Sequence, residues 1–260
     1  MNVPSSLFLG IYSKAIQGGT ETTLRELIVS LELPSSCPVL EQIQSVQETL
    51  SSCKAELVPD LKTGSLDTNR ILRSSVSPAI DAERILAEVA EGETAARESK
   101  SSLIYDHKKA AANPVISVQE LKSEDVTYAA LKTIAAFLTS GGGTLYAGFN
   151  DSGECIGIDF DYPLLKEGSG NRDGWELHLR NLLTGKFKDG STINDYVRAD
   201  FIDIGGRMAA RLTVQRRRAL SFLKRNDTCL LYRRQGNRTM EVKSEELEEF
   251  LEFRKTQGWS

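Results

Sequence analysis

The sequence predicts an α+β protein with a mixed sheet, preceded by a mainly helical N-terminal region. Three observations predict it. After residue 79, helix and strand patterns interleave but include hairpins, which is not the order of a doubly wound parallel sheet. A long helical stripe there runs into a glycine triplet and then an alternating strand. Before residue 79 the apolar spacing is helical, and it dissolves into a stretch rich in Ser, Thr, Gly and Pro. The boundaries are 1–78 for the helical region with its linker and 79–260 for the α+β domain.

In chain order, 20–33 reads as a short helix, since Leu24, Leu27, Ile28 and Leu31 recur at helical spacing. The segment 38–57 places Leu40, Ile43, Val46, Leu50 and Leu57 near one helix face, and 59–78 reads as a connector. Residues 81–90 form a helix that leads into the second domain. A helix over 127–140 carries the stripe Leu131, Ile134, Ala135 and Leu138, and Gly141, Gly142 and Gly143 end it. TLYAGFN, DSGE and CIGIDF then read as strand, turn and strand, a hairpin signature. Further strands are expected at 197–204, 207–214 and 229–234. Ser244 opens a last helix with acids in its first turn and Leu247, Phe250 and Leu251 facing inward.

Composition bounds the function. No apolar run approaches the roughly 20 residues that span a bilayer. The N-terminus lacks the basic region of a secretory signal. Cys37, Cys53, Cys155 and Cys229 are dispersed, which favours free thiols and a cytoplasmic location. There is no P-loop, since Phe149 stands where its lysine would be, and no dinucleotide fingerprint, since the glycines follow a helix and precede a strand. His107 and His178 have no ligands at zinc spacing. The net charge is −4, yet residues 207–238 hold ten basic residues against one acid, Asp227.

Three constellations could carry chemistry. In a strand, Glu98 and Lys100 share one face, either as a metal ligand beside a phosphate-binding ammonium or as a plain ion pair. Asn150 and Asp151 sit in a turn and are ordinary turn formers. If Asp151 converges on Glu93 and Glu98, the three carboxylates would hold a hard divalent ion such as Mg²⁺ or Mn²⁺. The third is the basic run, in which Arg216, Arg217, Arg218, Lys224, Arg225, Arg233, Arg234 and Arg238 are interleaved with Phe222 and Tyr232. Cations neutralise phosphates and rings stack on unpaired bases, although such a run also suits an acidic protein surface.

The order of Glu98-Ser99-Lys100-Ser101-Ser102-Leu103, then 135–159, then 230–239 and a closing acidic helix resembles the Schlafen-type AlbA domain over about 160 residues, from Glu91 to Phe253. Ser99 stands where the family has an aromatic and Thr139 where it has an asparagine. The resemblance implies a compact mixed-sheet fold and nucleic-acid binding, RNA more than DNA. It further implies a divalent-metal-dependent endoribonuclease in which Glu93, Glu98 and Asp151 are catalytic and hold the Mg²⁺ or Mn²⁺. Lys100 would then contact a phosphate. The alternative is a non-catalytic regulatory or assembly module. Expected partners are nucleic acid, a protein bound through residues 1–90, and a second copy of the chain; no membrane contact is expected.

Overall fold

The computed structural model describes residues 8, 11, 12, 20–32, 36–61, 64–74, 82–166 and 168–259. The chain divides into two compact units, Met1–Ala79 and Ile80–Ser260. The protein is α+β, and its sheets are antiparallel or mixed.

The first unit is not mainly helical. Its described elements are β1 (Thr20–Thr23), a Leu24–Ser30 helix, a Val39–Ser52 helix, β2 (Ala55–Val58) and β3 (Asn69–Ser74). The strands form an antiparallel sheet in the order β1-β3-β2. Thr23 ends β1 and caps the first helix: its side chain accepts from the Glu26 amide while the Glu26 carboxylate accepts from the Thr23 amide. This reciprocal cap explains why 20–33 is a strand followed by a helix. The second helix buries Val46 and Leu50 but leaves Leu40 81% exposed, so Leu40 lies outside the expected stripe. Past Lys54, whose φ is 52°, the periodicity changes from helical to alternating, and Ala55 and Leu57 point inward from β2. The supposed connector contains β3, the central strand. Its Ile71 and Leu72 are both buried, and Leu72 packs with Phe8, Leu24, Leu27 and Val46.

The second unit is built around the Glu124–Thr139 helix. Ser123 caps it by accepting from the Val126 amide at 3.3 Å, and Glu124 and Asp125 complement the helix dipole. Leu131, Ile134, Ala135 and Leu138 are buried as the stripe predicts, and so are Ala136, Phe137 and Thr139. The helix is buried all round because it contacts two sheets. One has the order β4 (Arg97–Lys100), β5 (Gly143–Ala147), β7 (Arg207–Val214), β6 (Val197–Ile204), with β4 parallel to β5 and the other pairs antiparallel. The other is the antiparallel set β8 (Phe222–Arg225), β9 (Thr228–Gln235), β10 (Arg238–Glu241).

Gly142 closes the helix at φ 83° by donating its amide to the Phe137 carbonyl at 3.0 Å. A Cβ on Gly143 would come within 2.5 Å of the Phe137 ring, so only glycine lets β5 start there. The hairpin after β5 is only half formed: its return arm makes one bridge, Phe149 to Cys155, and 159–164 winds into a short 3-10 helix, Asp159–Leu164. The reason is topological, since both edges of β5 are already taken by β4 and β7. A helix not expected from the sequence, Arg172–Lys186, buries Trp175, Leu179 and Leu183. In the closing helix Leu247–Thr256, Phe250 is buried but Leu251 is 37% exposed, so Leu251 does not face the core. Among the described residues no helix is long and apolar enough to cross a membrane, and all four cysteines are free thiols.

Candidate nucleic-acid interface

Glu98 and Lys100 do share a face of β4, and they are an ion pair. One Glu98 oxygen accepts from Lys100 Nζ at 2.5 Å, and the other accepts from Arg234 Nη1 at 2.9 Å. The Arg234 side chain is only 2% exposed. Its other contacts fix it firmly: Nη1 also donates to Thr239 Oγ1, Nη2 donates to the Thr94 carbonyl at 2.6 Å, and the guanidinium lies over the Phe137 ring. A carboxylate held between two cations in a nearly dry site is a structural counter-ion.

The other two carboxylates are placed differently. Glu93 is exposed and accepts the Ser99 amide at 3.3 Å. Asp151 is exposed at the turn after β5. That turn is organised by Asn150, whose Oδ1 accepts from the Ser152 amide, the Ser152 hydroxyl and the Glu154 amide. Among the described residues no three His, Cys, Asp or Glu side chains stand together as a group able to hold a metal ion. The expected triad of Glu93, Glu98 and Asp151 is therefore not assembled, and these residues do not fit a bound Mg²⁺ or Mn²⁺.

The basic run divides into cations turned inward and cations facing solvent. Arg217 pairs with Asp189 at 3.1 Å, donates to Thr192 and lies over the Tyr196 ring, with 11% of its side chain exposed. Arg234 is the buried partner of Glu98. Arg233 is partly buried over the Phe250 ring, and Arg216 and Arg218 are partly buried as well. Arg254 pins this stretch from below, donating to the carbonyls of Arg217 and Arg218 and to that of Thr139, which ends the central helix. Tyr232 cannot stack on a base: it is 5% exposed, and its hydroxyl shares a 2.8 Å hydrogen bond with that of Tyr128. Burial, reinforced by that bond, holds the Tyr232 hydroxyl above the usual tyrosine range. Phe222 is partly buried and carries the Lys188 ammonium over its ring.

Three cations of the run remain on the surface: Lys224 and Arg225 on β8 and Arg238 on β10. Among the described residues none of them has a carboxylate partner. Arg225 is ordered by lying 4.6 Å over the Tyr128 ring, and Lys224 reaches the Gly185 carbonyl. Because β9 is 8 residues long, its two ends, where Arg225 and Arg238 stand, are separated by roughly 23 Å.

Sequence reasoning missed the residue that organises the loop after β4. Asp161 is fully buried and accepts from the Ser102 hydroxyl, the amides of Leu103, Ile104 and Tyr105, and the Trp175 indole at 2.7 Å. A carboxylate with this many donors is fully satisfied, so its burial locks 102–105 to the 3-10 helix. Ser102 had been read only as part of a motif.

No family model matches the chain, and no curated protein matches it. A solved structure to which it is similar is that of the DIP2311 protein from Corynebacterium diphtheriae, 18% identical with a TM-score of 0.41; the match covers 67% of this chain and 31% of that chain. The chain thus spans about a third of that protein's length, and a likeness of this order carries no argument about fold or function.

Proposed function

We propose that this chain is a non-cleaving nucleic-acid-binding protein that works in the cytoplasm and takes RNA in preference to DNA. The observation that carries the reading is the set of solvent-facing, unpaired cations Lys224, Arg225 and Arg238 on one small sheet. Unpaired surface cations neutralise phosphates and release counterions, which supplies most affinity that is independent of sequence. The preference for RNA comes from the family resemblance. Cleavage is left out of the reading because Glu98 is committed to Lys100 and Arg234.

The test is binding of the full chain to a fluorescein-labelled single-stranded RNA 12-mer, followed by anisotropy, with duplex DNA of the same length as competitor. Changing Lys224, Arg225 and Arg238 together to Ala should weaken RNA binding about tenfold or more. Equal binding by wild type and the triple variant would remove this surface from the reading.

A further inference from the structure

Recognition of single strands needs rings as well as cations, and the basic run does not present them: Tyr232 is 5% exposed and Phe222 is partly buried. A different part of the second unit does. Tyr105, His107 and Phe160 form a ring cluster with centroids 4.6 Å (Tyr105–His107), 5.3 Å (Tyr105–Phe160) and 4.9 Å (His107–Phe160) apart. Phe160 is 45% exposed, while Tyr105 and His107 are partly buried behind it.

The cluster is held rigidly, which lowers the cost of ordering it around a ligand. Phe160 precedes Asp161, and the Asp161 carboxylate accepts the Tyr105 amide at 3.0 Å, so one buried group fixes two of the three rings. His107 opens the His107–Ala112 helix, which Asp106 caps by accepting the Lys109 amide at 2.9 Å. Exposed cations surround the rings. Lys108 and Lys109 follow His107, and Lys122 bridges to Tyr105 across the chain. Among the described residues none of these three lysines is in a salt bridge. The nearby acids are already used, Asp106 in its cap and Glu120 by the hydroxyl of Ser117 at 2.6 Å.

We infer that Phe160, backed by Tyr105 and His107 and flanked by Lys108, Lys109 and Lys122, is a stacking site for an unpaired nucleobase of a single-stranded nucleic acid. An exposed ring face takes the flat base, and the lysines take the phosphates on either side of it. This rests on the nucleic-acid reading above and gives it a base contact that the arginine segment does not supply.

The experiment compares two fluorescein-labelled 12-mers of equal charge, single-stranded oligouridylate and an abasic ribose-phosphate chain, with the full-length protein. Wild type should bind the base-containing strand more tightly. Phe160→Ala should weaken that binding by roughly 5- to 150-fold, the range for losing one base–aromatic stack, and should leave abasic binding unchanged. Phe160→Leu keeps the apolar volume without the ring and should show the same selective loss, so the test survives if the alanine variant folds poorly. Leu177→Ala, at an apolar residue 59% exposed on another helix, should change neither. If wild type binds both strands equally in a salt-dependent way, or if both Phe160 variants keep the preference, the stacking site is lost and the phosphate reading stands. If wild type binds neither strand, both fall.

Discussion

Replacing Glu98 by Gln tests whether this carboxylate is a structural counter-ion or a metal ligand. In the structure Glu98 is 8% exposed and neutralises Arg234, whose side chain is 2% exposed. Removing one member of a buried pair leaves the other charged and uncompensated, which costs about 3–5 kcal/mol. Glutamine keeps one acceptor oxygen for Arg234 Nη1, and Arg234 retains the Thr94 carbonyl and the Thr239 hydroxyl, so a loss of about 3 kcal/mol is expected. For a unit of this size that lowers the melting temperature by roughly 6–12 °C. Glu93→Gln, at an exposed position, should stay within about 0.5 kcal/mol of wild type. Arg234→Met in the Glu98→Gln background should cost less than Arg234→Met alone, since the cycle isolates the pair. The assay is thermal unfolding by circular dichroism, with and without Mn²⁺. The reasoning is refuted if Glu98→Gln melts like wild type while Mn²⁺ stabilises wild type and not the variant. That pattern would make Glu98 a cation ligand.

Two other expectations follow from burial. Ile134 is fully buried in the central helix, so Ile134→Ala should destabilise by about 2–5 kcal/mol in urea unfolding, whereas Lys132→Ala should stay within about 0.5 kcal/mol. His107 and His178 are both held below the ordinary histidine value of 6.5, in each case chiefly by burial. The unfolded chain then takes up protons that the fold refuses, so stability should be complete above pH 6.5 and fall as pH drops below it. Replacing both histidines by Gln should flatten melting temperature against pH between about 7 and 5; an unchanged slope would count against the burial argument.

What was legible in the sequence was the part in which neighbouring residues carry the signal. The 131–138 stripe and the glycines after it fix the central helix because spacing and cap lie within one segment. The strand β3 was hidden because its apolar residues, Ile71 and Leu72, are adjacent and buried on opposite faces, so no alternation shows. The Arg172–Lys186 helix has a regular stripe of Trp175, Leu179 and Leu183, but Gly174, Gly185 and its many polar residues masked it. The site was harder for a related reason. A run of arginines reads the same whether a given one faces solvent or a carboxylate, and the partners are remote: Glu98 is 136 residues from Arg234, and Asp189 is 28 from Arg217. Asp161 and Arg254 were missed because each works through backbone groups of distant segments.

The central claim is that solvent-facing cations of the small sheet contact phosphates, and the salt dependence of RNA binding measures this most directly. Each single-strand phosphate contact contributes about 0.7 to the slope of log affinity against log salt. Wild type should therefore lose affinity steeply with salt. Changing Lys224, Arg225 and Arg238 together to Ala should reduce the magnitude of that slope by about 2, with the melting temperature unchanged because none of the three holds a buried partner. An identical slope in wild type and variant, or binding indifferent to salt, would contradict the account.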